Sequence, residues 1–169
     1  YITNLGGESA KIFLPLIDFA YENGVKIALN PGKAQLKMGK ELVPVLEKID
    51  ALILNQEEAS YLTGVAFEKE DDIFKKLDKW VRGVTVMTKG PGGFTACDNQ
   101  NIYTGGILKE PVYVDRTGAG DAFGSGLVSS LIQDKSPEEA FQLASANATG
   151  VLGAWGANHG LLSSGDDIY

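Results

Sequence analysis

Val112-Tyr113-Val114-Asp115-Arg116-Thr117-Gly118-Ala119-Gly120-Asp121-Ala122-Phe123 is the stretch on which the reading of this chain turns. A short apolar run ends in an acid, and a loop of small residues follows. A second acid then opens a segment with Phe123, Leu127, Val128, Leu131 and Ile132 at helical spacing. The pattern predicts a strand, a tight loop and a helix N-terminus. Gly118, Ala119 and Gly120 place almost no side chain over their backbone N–H groups. The first N–H groups of a helix lack internal partners and carry the positive end of its dipole. The loop therefore suits an anion, above all a phosphate or a transferring phosphoryl group. Asp121 would weaken simple phosphate binding. It makes sense where the phosphoryl group is transferred, because the acceptor hydroxyl then needs a base. The plainer alternative is an acid that complements the helix dipole from the first turn.

Outward from this stretch, strands and helices alternate. Lys11 to Glu22 reads as a helix with an apolar face of Ile12, Phe13, Leu16, Ile17 and Phe19, begun or kinked by Pro15. Val25 to Asn30 reads as a strand, and the short Tyr1–Leu5 run as a strand end. Gln35 to Ile49 is helical in pattern, with a break expected at Pro44. Ala51 to Asn55 is a second strand, apolar enough for burial on both faces of a parallel sheet. A short helix over Glu57 to Leu62 is closed by Thr63-Gly64, and another runs from Asp71 to Trp80. Val84 to Thr88 is a third strand. Gly93–Cys97 and Ile102–Thr104 flank a turn and predict a hairpin. Val112–Val114 is the strand before the central loop, and Ala119–Gln133 the helix after it. Pro137 to Leu152 is the last helix, with Ser136 as N-cap and Pro137 at its first position. Gly124 and Gly126 inside the first of these two helices predict close approach of another backbone.

Such alternation implies an α/β fold with a mostly parallel central sheet flanked by helices, plus the hairpin. Ligands in such sheets bind at the carboxyl ends of the strands. Asn30, Asn55, Thr88 and Asp115 stand at those predicted ends, which points to one shared site.

Composition narrows the function. The formal net charge is −7 and no basic run occurs, which argues against nucleic acid and anionic membranes as partners. No apolar run reaches membrane-spanning length. Cys97 is the one cysteine, so no internal disulfide forms, in keeping with a reducing cytoplasm. With no repeat or low-complexity linker, residues 1–169 are expected to form a single domain.

The string Asp115-Arg116-Thr117-Gly118-Ala119-Gly120-Asp121-Ala122-Phe123 resembles the C-terminal signature of the ribokinase-like (PfkB-type) carbohydrate kinases. Arg116 stands where many members have Thr. The resemblance implies a ribokinase-like layered fold and transfer of the ATP γ-phosphoryl group to a hydroxymethyl group of a sugar or nucleoside. Gly118, Ala119 and Gly120 would form the anion hole and Asp121 the base. The resemblance covers nearly all of this chain but only the C-terminal, nucleotide-binding and catalytic portion of a family member. The chain begins with Tyr1, and is expected to be a fragment or a processed product that lacks the N-terminal substrate and lid portion. Members often dimerise through that lid, so the resemblance allows a homodimer of the full-length protein without establishing its oligomeric state.

Other strings extend the resemblance. Asn55-Gln56-Glu57-Glu58 matches the family's Asn-x-x-Glu motif, whose carboxylate influences Mg²⁺ and phosphate binding, in the case of Glu58 through water. Alone, it fits an Asn N-cap with an acidic first turn; at a strand end, the site reading gains. Thr88-Lys89-Gly90-Pro91-Gly92-Gly93 resembles the Thr-x-Gly-x-x-Gly nucleotide loop, with Thr88, Lys89, Gly90 and Gly93 against the nucleotide. The alternative is a glycine-rich turn into the hairpin, with Lys89 merely solvated. By resemblance, Asn147 borders the adenine. The segment Val151 to Gly160 would lend carbonyls of Val151, Ala154 and Gly156 to a monovalent cation, K⁺, beside Asp115 and Thr117. His159, the only histidine, reads as a surface loop residue.

Two further readings compete. Gly118-Ala119-Gly120 could open a dinucleotide-binding fingerprint, but Phe123 holds the third glycine position and Asp121 would face the pyrophosphate. The chain could also be a nucleotide-binding module with no sugar kinase activity of its own, exposing an apolar sheet edge.

Overall fold

The run Ala51–Asn55 meets the prediction made for it. In the computed structural model it forms a strand whose first four residues are all buried. Leu52 and Leu54 enter the main core cluster, while Ala51 and Ile53 are buried on the opposite face, as the two-residue period of a strand requires. The structure describes residues 1–107, 114–163, 165 and 166. They fall into two compact units, Tyr1–Gly90 with Phe94–Thr104, and Pro91–Gly93 with Gly105–Tyr169.

The first unit is built on a five-stranded mixed sheet in the order β1-β2-β3-β4-β5. β1 (Ala28–Leu29), β2 (Ala51–Asn55) and β3 (Val84–Thr88) run parallel, with Asn55 in register with Thr88. β4 (Phe94–Cys97) pairs antiparallel with β3, and β5 (Ile102–Gly105) completes the expected hairpin. β1 is shorter than the predicted Val25–Asn30. The Ile27 amide leaves the ladder for the Asp50 carboxylate at 2.8 Å, and Val25 bonds back to the preceding helix through Ala20. Ile2 adds an isolated parallel bridge to Leu29.

Helix α1 (Phe13–Glu22) follows a 3-10 turn, with Pro15 in its first turn. Its core face is Phe13, Ile17 and Ala20. Three residues expected there turn outward: Ile12 is 54% exposed, Leu16 38% and Phe19 62%. The helix carries two adjacent apolar stripes, and only one can face the sheet. The predicted Gln35–Ile49 helix is also divided differently. It splits into α2 (Lys33–Leu36), a 3-10 turn Gly39–Leu42 and α3 (Val43–Leu46). The break falls at Gly39, whose φ is +55°, a value at which glycine is favoured. Pro44 lies in the first turn of α3, where its missing N–H costs no hydrogen bond. α4 (Gln56–Thr63) and α5 (Glu70–Asp78) follow, and α5 buries Ile73, Phe74 and Leu77.

The second unit contains α6 (Ala119–Ile132) and α7 (Pro137–Leu152). They pack closely: a Cβ on Gly126 would stand 3.0 Å from the Ala144 Cα. This is the close approach that Gly126 predicted. Ser136 and Glu139 exchange capping bonds at the start of α7, with Pro137 at its first position. Of the predicted strand Val112–Val114, Val112 and Tyr113 lie outside the described residues. Val114 donates its amide to the Leu152 carbonyl at 2.9 Å. Among the described residues no helix is long and apolar enough to cross a membrane.

Candidate active site

In the second unit the central loop leads directly into α6. Asp115 organises the loop. One carboxylate oxygen accepts the Thr117 amide at 3.0 Å and the Thr117 hydroxyl at 2.8 Å, and the other accepts the Gly156 amide at 3.3 Å. These donors, the Thr117 amide first and its hydroxyl second, hold the Asp115 carboxyl below its ordinary range. Gly118 then turns the chain at φ +85° and serves as the N-cap of α6, with no side-chain capping bond. Its bare Cα is required twice over. A side chain would strain the left-handed backbone, and a Cβ would stand 2.6 Å from the Ala157 carbonyl oxygen.

The first-turn amides of α6 have different fates. The Ala119 amide reaches the Arg116 carbonyl at 3.3 Å, and the Ala122 amide closes on Gly118 at 2.8 Å. Between them, the Gly120 and Asp121 amides meet no protein acceptor among the described residues. No atom lies within 4 Å of where a Gly120 Cβ would stand, so the space beside Gly120 is open. The Asp121 side chain is exposed in the same turn. Two unmatched donors, the helix dipole and an exposed carboxylate thus share one turn.

The segment after α7 embraces this loop. Besides the Gly156 bond and the Ala157 packing, the Leu152 carbonyl accepts the Val114 and Asp115 amides. Val151 is fully buried in the last turn of α7, where its carbonyl accepts the Ala154 amide at 3.3 Å. The carbonyls of Val151, Ala154 and Gly156 belong to a segment in direct contact with Asp115 and Gly118. His159 is exposed, as expected. Asn147 behaves differently from a free polar group. Its amide nitrogen donates to the Ala122 carbonyl at 2.7 Å and its oxygen accepts the Leu162 amide at 2.9 Å. The buried side chain thus brackets α6 and the returning chain.

In the first unit, Asn55 and Thr88 pair in register at the carboxyl ends of β2 and β3, and Asn30 follows the last residue of β1. Asn55 and Glu58 form a complete capping box: the Asn55 oxygen accepts the Glu58 amide and Glu58 accepts the Asn55 amide, each at 2.9 Å. After Thr88 the loop makes a 3-10 turn over Gly90–Gly92. Lys89, read as either solvated or set beside phosphates, pairs with Glu70 at 2.8 Å, its side chain 20% exposed. Thr95 donates to the same Glu70 oxygen at 3.2 Å. Sequence reading did not find the Glu70 contact to Lys89 or the Ala157 contact to Gly118, because each joins residues far apart along the chain. No group of three or more His, Cys, Asp or Glu side chains able to hold a metal occurs among the described residues.

Residues 9–163 match the model of the pfkB family carbohydrate kinases. The chain belongs to this family. The pfkB chain is 34% identical over 133 residues to the ribokinase of Haemophilus influenzae, an alignment covering 76% of this chain and 42% of that protein. Among solved structures, it is similar to Arabidopsis thaliana ribokinase complexed with ribose and ATP. There the TM-score is 0.74 at 25% identity, covering 88% of this chain and 48% of that one. The nucleoside kinase of Methanocaldococcus jannaschii shares the fold, with a TM-score of 0.78 at 23% identity, covering 94% of this chain and 50% of that one. The pfkB chain thus spans less than half the length of the curated ribokinase it matches.

Proposed function

We propose that this chain is the C-terminal, nucleotide-binding and catalytic portion of an ATP-dependent kinase whose acceptor is a hydroxyl of a sugar or nucleoside. The observation that carries the reading is the open start of α6. There the Gly120 and Asp121 amides have no acceptor among the described residues, Gly118 has no side-chain cap, and Asp121 is exposed. The bound ATP of the ribokinase neighbour supports ATP as donor. The names of the relatives support a sugar or nucleoside acceptor without choosing between them.

In this reading Gly118, Ala119 and Gly120 shape an anion hole whose N–H groups meet charge developing on the transferring phosphoryl oxygens. Asp121 orients the acceptor hydroxyl and accepts its proton. The Thr88–Gly93 loop and Asn55 flank the nucleotide, and Glu58 acts toward Mg²⁺ through water. Mg²⁺, when bound, neutralises phosphate charge. Asp115, Thr117 and the carbonyls of Val151, Ala154 and Gly156 would hold K⁺, whose charge would support the anion loop. Asn147, whose side chain also bonds Ala122 and Leu162, would border the adenine.

The test is calorimetric titration with a non-hydrolysable ATP analogue and Mg²⁺, with and without K⁺. Saturable binding that Gly118→Val weakens by more than about tenfold is the expected result. Binding that Gly118→Val leaves unchanged would overturn the anion-loop assignment. A second reading has one observation in its favour, the short span of the chain against its relatives. Residues 1–169 would then bind nucleotide yet turn over no sugar by themselves, and robust turnover by them would refute it.

A further inference from the structure

The loop Lys89-Gly90-Pro91-Gly92-Gly93 has one side chain capable of a directional bond, that of Lys89. Gly90 and Gly93 both take left-handed backbone conformations, at φ +54° and +80°. Such a loop has many alternatives open to it, since glycine restricts the backbone least. Its anchors are therefore the strand before it, the hairpin after it, and whatever holds Lys89. The structure provides a built holder. The Lys89 ammonium lies 2.8 Å from Glu70 Oε1, and the Thr95 hydroxyl of β4 donates to that same oxygen at 3.2 Å. Glu70 opens α5, which is pinned to the core by Ile73, Phe74 and Leu77. One carboxylate oxygen thus ties the loop and the hairpin strand beyond it to the first turn of a rigid helix.

We propose that Glu70 is a positioning residue for the nucleotide loop, acting through Lys89 to fix the backbone of Gly90–Gly93 in its ligand-accepting form. The inference rests on the reading of Thr88–Gly93 as a nucleotide loop. An ion pair with side chains 20% and 36% exposed contributes little to global stability. Its effect belongs in the order of the loop, which is a cost that binding would otherwise have to meet. The competing picture reverses a sign. If Lys89 acted by its charge on the phosphates, Glu70 would compete for the ammonium, and removing the Glu70 charge would tighten nucleotide binding.

The experiment is a double-mutant cycle in the intact protein, titrated with a non-hydrolysable ATP analogue and Mg²⁺, with KM for ATP and kcat measured in parallel. Glu70→Gln should weaken analogue binding by about five- to tenfold and raise KM for ATP, while kcat changes much less. Lys89→Met should do the same, and the pair together should cost little more than either alone, since both break one tether. Thr95→Val, which removes one donor from the same oxygen, should give a smaller loss in the same direction and serves where Glu70→Gln does not fold. Unchanged or tighter binding in Glu70→Gln, with the unsubstituted protein binding normally, overturns the positioning role and leaves the nucleotide reading intact. No analogue binding by the unsubstituted intact protein overturns both.

Discussion

The starts of α4 and α6 are written in related residues and are finished in opposite ways. Each carries acid in its first turn: Glu57 and Glu58 in α4, Asp121 in α6. At α4 the positive end is closed from within, because Asn55 and Glu58 exchange bonds with each other's amides. At α6 the N-cap is a glycine at φ +85°, and the acid does not turn back on the amides beside it. The same helix physics is therefore spent internally at one end and left available at the other. What separates a structural helix start from a candidate anion site is the destination of the first-turn N–H groups, and not the presence of an acid or a glycine. The start of α7, with Ser136 and Glu139 reciprocally bonded, is a second closed case.

The largest effect that can break this comparison lies at Asp121. Asp121→Asn in the full-length protein should lower turnover by about a thousandfold while leaving ATP-analogue binding nearly intact, within the range general bases supply. Steady-state kinetics beside calorimetry decides it, and retained turnover would return Asp121 to the status of a dipole-complementing acid like Glu57.

Gly118→Val comes next. The left-handed backbone alone costs about 1–2 kcal/mol for a residue with a Cβ, and the new side chain meets Ala157. We expect a lowered melting temperature together with more than about tenfold weaker analogue binding. A melting shift with unchanged binding would show that the open α6 start is no ligand site.

Ser136→Ala sharpens the contrast from the closed side. Removing the cap of α7 should cost about 1 kcal/mol of stability, seen in a denaturant melt, with no change in nucleotide affinity. A matching loss of affinity would mean that the start of α7 also serves the ligand.

The smallest expected effect is in pH dependence. Hydrogen bonds from Thr117 and Gly156 depress the Asp115 pKa in the folded state. Its stabilisation is therefore fully present above the unfolded carboxylate value of about 3.9 and is lost as pH falls through the lower folded value. Asp115→Asn should reduce the melting temperature at neutral pH, and the two curves should converge in acid. A gap that persists unchanged to low pH would contradict the assignment.

Much of this architecture was legible from residue pattern. Val84–Thr88 and Pro137–Leu152 form with the predicted bounds, because their determinants are local: a run of β-formers between turns, and a Ser-Pro start followed by helical periodicity. α1 misled because Ile12, Leu16 and Phe19 form as good an apolar stripe as Phe13, Ile17 and Ala20, and only packing chooses between stripes. Pro44 drew attention as a breaker, yet proline in a first turn fits the helix, and Gly39 breaks the segment instead. In the candidate site, the small-residue loop before α6 was visible in its own residues. The capture of Lys89 by Glu70 was not, since a lysine in a glycine loop carries no mark of its partner.

The sequence by itself determined the bounds of Val84–Thr88 and Pro137–Leu152, the small-residue loop before α6 and the acid placed in its first turn. These depend on side-chain size, backbone freedom and spacing over a few residues. Only the tertiary structure decided that Ala157 closes on Gly118, that Asn147 bonds both Ala122 and Leu162, that Asp115 is held by Gly156, and that Glu70 holds Lys89. Each of these joins groups far apart along the chain, and such pairings are selected by how the elements pack rather than by any local preference of the residues that make them.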